Sequence, residues 1–105
     1  MINLLKEQNN VKNFVRRNKL EMKPEFAALD LVSEVGELTK EILSGTNYGR
    51  KKFTRGKNLQ SEFGDAFYSL INLSNSLNIN LEKSLRVSLK KYEIRMKKKG
   101  TTGSC

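Results

Sequence analysis

At 105 residues the chain is long enough for one domain with one modest core and too short for two. A single cysteine, Cys105, and no histidine exclude an intrachain disulfide and a Cys/His zinc site. Twenty Lys and Arg against eleven Asp and Glu give a formal net charge of +9. Such a surface attracts polyanions, whether nucleic acid, anionic membrane or phosphorylated small molecules, without choosing among them.

The opening Met1-Ile2-Asn3-Leu4-Leu5-Lys6 turns polar at Glu7 and is no signal peptide, and no later stretch holds the ~18 consecutive apolar residues of a membrane span. The expectation is a cytoplasmic protein in a reducing compartment. Leu4, Leu5, Val11, Phe14 and Val15 recur at mostly helical spacing, so a first helix is predicted over 3–19. Lys23-Pro24-Glu25 is a helix start, because proline suits a first turn and the acid complements the helix dipole. A strongly periodic helix follows from Phe26 to Leu43, with Ser44-Gly45 as its stop.

Residues 44–57 carry three glycines and five basic residues with no apolar periodicity, and read as a loop. A third helix is predicted from Asn58 to Leu77, and a fourth, capped by Asn80, from Leu81 to about Lys97. No segment shows the period-two alternation of a strand. The chain thus reads as one all-α domain over 1–97, with 98–105 a disordered basic and polar tail that carries the Cys105 thiol. A helical bundle this short often completes its core with further copies of itself, so a homo-oligomer is expected.

On the second helix Ala28, Leu31, Val32, Val35, Leu38, Ile42 and Leu43 fill one apolar arc of about 140°. Asp30, Glu34, Glu37 and Glu41 form a stripe beside that arc rather than opposite it. The third helix repeats the plan: Leu59, Phe63, Ala66, Phe67, Leu70, Leu73 and Leu77 on the apolar face, bordered by Glu62, Asp65, Ser69, Asn72 and Ser76. Packing the two helices by their apolar arcs would bring the border stripes together. Converging carboxylates repel one another, and either raised pKa values or a cation relieves that. Oxygen-only ligands suit a hard divalent ion such as Mg²⁺, with Mn²⁺ as a substitute, and such an ion serves phosphoryl chemistry. Each acidic pair on its own also reads as a solvated helix face.

The runs Glu34-Val35-Gly36-Glu37-Leu38 and Glu62-Phe63-Gly64-Asp65 resemble the paired acidic motifs of the MazG-like, all-α nucleoside triphosphate pyrophosphatases. The resemblance covers roughly residues 25–96. It implies a four-helix MazG-like bundle assembled as a homodimer or homotetramer. It also implies hydrolysis of a (d)NTP to the monophosphate and pyrophosphate by an activated water at the α-phosphorus, a clean-up of the nucleotide pool. By the same resemblance Glu34, Glu37, Glu62 and Asp65 are the catalytic Mg²⁺ ligands, Asn72 stands in the substrate site, and Lys91 and Arg95 match basic positions near the end of the last helix. Ser33 stands where the family usually carries a further glutamate, and Val87 and Leu89 stand where close relatives often carry Lys and Asn.

Lys52 and Arg55, in the basic loop between the acidic helices, are candidates for closing over a triphosphate, the alternative being a solvated connector. Tyr48, Phe53 and Tyr68 are candidates for stacking on a base, and Tyr68 also for a subunit contact. Two other readings stay open from sequence: a basic helical module that binds nucleic acid, disfavoured by the acidic patch, and a dimerisation domain without catalysis.

Overall fold

The computed structural model describes residues 3–104. Four helices follow in chain order, with no strand among the described residues: α1 Leu4–Arg17, α2 Pro24–Gly45, α3 Leu59–Ser76 and α4 Leu81–Lys99. The all-α reading of the sequence is the observed class. Met1, Ile2 and Cys105 lie outside the described residues, so the terminal thiol has no structural account here.

The helix starts follow the expected chemistry. Asn3 Oδ1 accepts from the Lys6 amide at 3.2 Å, Pro24 occupies the first turn of α2, and Asn80 Oδ1 accepts from the Lys83 amide at 3.1 Å. Two ends differ from expectation. α2 runs through Ser44 and Gly45 instead of stopping there, because the chain turns only at Thr46, whose Oγ1 accepts from the Gly49 amide at 3.0 Å. α4 takes in Lys98 and Lys99, which the sequence reading gave to the tail, and closes where Gly100 adopts a left-handed φ of 70°.

The 46–57 segment is folded back rather than free. The Thr54 amide donates to the Gly45 carbonyl at 2.8 Å, and the Phe53 ring lies against Gly45. A Cβ at position 45 would meet Phe53 Cε1 at 2.7 Å and the Thr54 carbonyl oxygen at 2.8 Å, so only glycine admits this approach.

α2 and α3 form an antiparallel pair that uses one edge of each predicted face, where Leu31, Leu38, Ala66 and Leu73 are half-buried, rather than its centre. Ala27 of α2 and Ser69 of α3 are buried where they pack, and the acidic border of α2 turns inward with them. The predicted apolar arcs point largely outward: Val32 is 69% exposed and Phe63 54%, while Val35, Phe67, Leu70 and Leu77 are also exposed. The physical reason is that α3 must serve two neighbours. α2 covers one flank of its apolar arc and α1 the other, where Ile71 and Ser74 are buried, and the centre of the arc is left uncovered.

α4 packs chiefly on α1, and the radius of gyration is 16.8 Å, against about 13 Å for a compact chain of this length. Its position is set by Gln8, which is buried on α1. Gln8 Nε2 donates to Ser74 Oγ at 3.1 Å, Asn75 Oδ1 at 3.0 Å and the Ile79 carbonyl at 2.9 Å. Gln8 Oε1 accepts from the Leu81 amide at 2.9 Å, one of the donors that the start of α4 leaves without a helical partner. Asn75 Nδ2 completes the knot by donating to the Gln8 carbonyl at 2.9 Å.

Gln8→Ala strands several of these groups and is expected to lower unfolding stability by about 2–3 kcal/mol. Gln8→Glu, nearly isosteric but unable to donate, is expected to do comparable damage at neutral pH. Denaturant melts of both variants measure it, and stability unchanged in Gln8→Glu would mean that shape rather than hydrogen bonding holds the junction.

Candidate metal centre

The acids that helical spacing aligned on α2 and α3 meet along the seam between the two helices. Glu34, Glu62 and Asp65 each present a carboxylate oxygen, and these oxygens lie within 4.8 Å of one another. Glu34 and Glu62 are half-buried and Asp65 is exposed, so the group sits at the lip of the seam with one side open to solvent. Glu37, one turn beyond Glu34 on the exposed side of α2, adds its negative charge to the surroundings of Glu34 but supplies no oxygen to this group.

Asp30 extends the stripe inward. Its Oδ2 accepts from the Ser69 hydroxyl at 2.8 Å, a cross-link between α2 and α3 that the sequence reading left among the unassigned border residues. At the opposite end Glu41 lies against the Gly56 backbone, where the basic loop returns to α3. The polar seam therefore runs from the α1–α2 connection, past Asp30 and the three-carboxylate group, to the basic loop.

These carboxylates are not neutralised by the chain's excess of basic residues. Among the described residues the one salt bridge is Glu82–Arg86, at 3.8 Å on the surface of α4. The Glu34 carboxyl is pushed above its ordinary pKa, first by loss of solvation in the seam and then by the charges of Asp65, Asp30, Glu62 and Glu37. Three convergent oxygens with no cationic partner form a donor set that suits a hard divalent ion, which uses oxygen ligands and keeps waters of its own.

The other candidates fall into separate places. Lys52 is exposed, and Arg55 Nη2 donates to Gln60 Oε1 at 3.3 Å, both on the anchored loop at the Glu41 end. Asn72 lies at the other end of the seam, with Nδ2 donating weakly to Met22 Sδ at 4.0 Å. Lys91 Nζ and Arg95 Cζ lie 5.0 and 6.0 Å from the centre of the Tyr92 ring, and Arg95 Nη1 donates to the Thr102 carbonyl at 3.0 Å. The chain does not bring these two to the acidic group, because α4 leaves the α2–α3 pair.

Of the aromatic residues, Phe53 lies against Gly45, Tyr48 is exposed, and Tyr68 meets Phe14 of α1 edge-on at 6.1 Å. Sequence reasoning missed the cleft around Asn72, of about 250 Å³, because Lys12 and Arg16 of α1 read as ordinary helix surface. No helix among the described residues is long and apolar enough to cross a membrane.

Residues 22–99 match the MazG nucleotide pyrophosphohydrolase domain. The Bacillus subtilis (strain 168) protein YpjD is 35% identical over 72 residues, which make up 68% of this chain and 65% of YpjD. The crystal structure of YpjD from Bacillus subtilis superposes with a TM-score of 0.75 at 28% identity, covering 90% of this chain and 97% of that one. The Bacillus-conserved MazG protein, a nucleotide pyrophosphohydrolase, superposes with a TM-score of 0.73 at 25% identity, covering 88% of this chain and 90% of that one.

A carboxyl whose pKa is raised by folding binds its proton more tightly in the native state. The stability it contributes is complete below the unfolded pKa and is lost as pH rises through the folded one. The metal-free protein is therefore expected to melt at a lower temperature as pH rises above the ordinary glutamate range. Glu34→Gln should flatten that step, and a divalent cation should raise the melting temperature at neutral pH more than at acidic pH. Thermal melts in EDTA and in Mg²⁺ across this range test all three.

Proposed function

The chain belongs to the MazG nucleotide pyrophosphohydrolase family, a family of hydrolases, and from that premise we propose that it hydrolyses (d)NTPs to the monophosphate and pyrophosphate with Mg²⁺. The observation that carries this reading is the group of Glu34, Glu62 and Asp65, three convergent carboxylates with no basic partner in a strongly basic protein. Glu34, Glu62 and Asp65 would hold the ion, with Glu37, on the next turn of α2, as the fourth acid of the motif. A bound Mg²⁺ supplies charge neutralisation for the phosphates and lowers the pKa of water.

In the reaction a water oxygen bonds to the α-phosphorus, and the bond from that phosphorus to the α–β bridging oxygen breaks. The water's proton passes to a carboxylate of the seam, and pyrophosphate leaves. Lys52 and Arg55, on the loop anchored at the Glu41 end, are suited to draw the polyphosphate tail that way. Asn72, at the other end, then faces the nucleoside. Lys91 and Arg95 sit on a helix that leaves the bundle, and we assign them to the phosphate tail of a site on a neighbouring copy. Clean-up of the nucleotide pool in the cytoplasm is the corresponding role.

The outward apolar arcs of α2 and α3 support assembly into a homodimer or homotetramer. So many exposed large apolar side chains exceed what a monomer of this size ordinarily presents to water.

Pyrophosphate release from a panel of NTPs and dNTPs, with and without Mg²⁺, tests the activity. Glu62→Gln and Asp65→Asn are each expected to lower kcat by roughly 10²–10³-fold, the usual cost of removing one transition-state stabiliser, with circular dichroism unchanged. Near wild-type rates in both would refute the site. Val32→Glu combined with Phe63→Glu is expected to reduce the solution mass measured by light scattering to that of one chain. A wild-type protein already monomeric at micromolar concentration would refute the assembly.

A further inference from the structure

The cleft at the Asn72 end of the seam has a chemistry of its own. Val15 of α1 and Met22 of the α1–α2 connection give it apolar walls. Around them stand Lys12 and Arg16, one helical turn apart on α1, with Glu21 and Asn72. Lys12, Arg16 and Glu21 share one cleft with opposite charges, yet none of them makes a salt bridge among the described residues. Their donors and acceptor are thus free to meet a ligand.

Position adds to composition. Asp65, Ser69, Asn72 and Ser76 follow one another on a single stripe of α3, so Asn72 lies two turns, about 10 Å, from Asp65. That separation is comparable with the reach from an α-phosphate across the sugar to the far edge of a base. The anchored basic loop lies at the other end of the same seam, beyond Glu41. A triphosphate drawn toward that loop leaves its nucleoside pointing at the cleft. The volume of about 250 Å³ is below the ~300–1,000 Å³ that encloses a whole drug-sized ligand, and it suits one moiety of a nucleotide.

We propose that this cleft takes the nucleobase and selects keto bases, with Lys12 and Arg16 donating to the base carbonyl and Glu21 accepting from the neighbouring ring N–H. Guanine, uracil and thymine present a carbonyl beside a ring N–H. Adenine and cytosine present an amino group beside an unprotonated ring nitrogen, which turns each of these hydrogen bonds into a clash of like partners. Val15 and Met22 hold the ring from its faces, and the Asn72 amide, whose Nδ2 makes only the long 4.0 Å contact with Met22 Sδ, adapts to the edge that remains. Lys12, Arg16 and Glu21 lie on α1 and its connection, before residue 22, where the family match begins. The inference rests on reading the acidic group as the phosphate end of the site.

The test compares kcat/KM for GTP, UTP, ATP and CTP in wild type, Arg16→Ala and Glu21→Gln, all assayed with Mg²⁺. Wild type is expected to prefer GTP and UTP by roughly tenfold or more, the lower range of discrimination by paired hydrogen bonds to a base edge. Both variants are expected to lose most of that preference, the ratio of kcat/KM for GTP to that for ATP falling toward one. Equal use of all four nucleotides by wild type, or variants that keep the preference, would overturn the proposal. If no nucleotide is turned over at all, the hydrolase reading fails and the cleft is judged by binding. GMP and AMP are titrated in EDTA while the Met22 methyl resonance is followed. A shift with GMP that exceeds the shift with AMP and weakens in Arg16→Ala supports the base cleft, and equal or absent shifts overturn it.

Discussion

The contact on which everything else depends is the line where α2 meets α3. The two helices approach through small residues, Ala27 on one and Ser69 on the other, and the Ser69 hydroxyl is tied to Asp30 at 2.8 Å. Had they met through the centres of their apolar arcs, the carboxylates would have stood on a solvated rim and been fully hydrated. Meeting instead through the border of each arc draws Glu34 and Glu62 into the seam and turns Val32 and Phe63 out of it. One rotation of two cylinders therefore produces both the acidic group and the uncovered apolar surface. The cost of crowding the charges falls where a cation would offset it, and the cost of exposed apolar area falls where a second chain would.

Charge is distributed along this seam with a direction. Positive side chains gather on the loop at one end and on α1 at the other, while the acids hold the middle. A polyanion is attracted to the protein as a whole and repelled by the centre unless it arrives with a cation. A nucleotide that carries its own divalent ion meets that condition and naked nucleic acid does not, which sets the helical nucleic-acid module behind the hydrolase reading.

Most of the architecture was legible in the sequence because it rests on local signals. Apolar spacing, Pro24, Asn80 and the glycine-rich connection placed four helices with ends off by a residue or two. The acidic pairs were legible for the same reason: residues three apart on a helix share a face whatever the helix packs against. The rotation of α2 against α3 was not legible. An amphipathic pattern says which side is apolar, but it cannot say that two neighbours will claim the flanks of that side and leave its middle open. Asp30 went unassigned because its partner Ser69 lies on another helix. Lys12, Arg16 and Glu21 carried no signal, since charged residues on a helix surface and in a connection are ordinary until the fold makes them walls of a cleft.

The Gln8 knot bears on the order in which the chain can fold. α2 and α3 are neighbours in the chain, joined by the 46–58 connection that folds back on Gly45, whereas Gln8 must wait for Leu81, seventy-three residues later. Closing so long a loop costs entropy, which the packing of α1 on α3 partly offsets. α1 precedes the other helices in the chain, yet its Gln8 contacts are complete only once the start of α4 is in place. Until then the α2–α3 pair, with its acidic group, lacks the contacts that fix α1 to the start of α4.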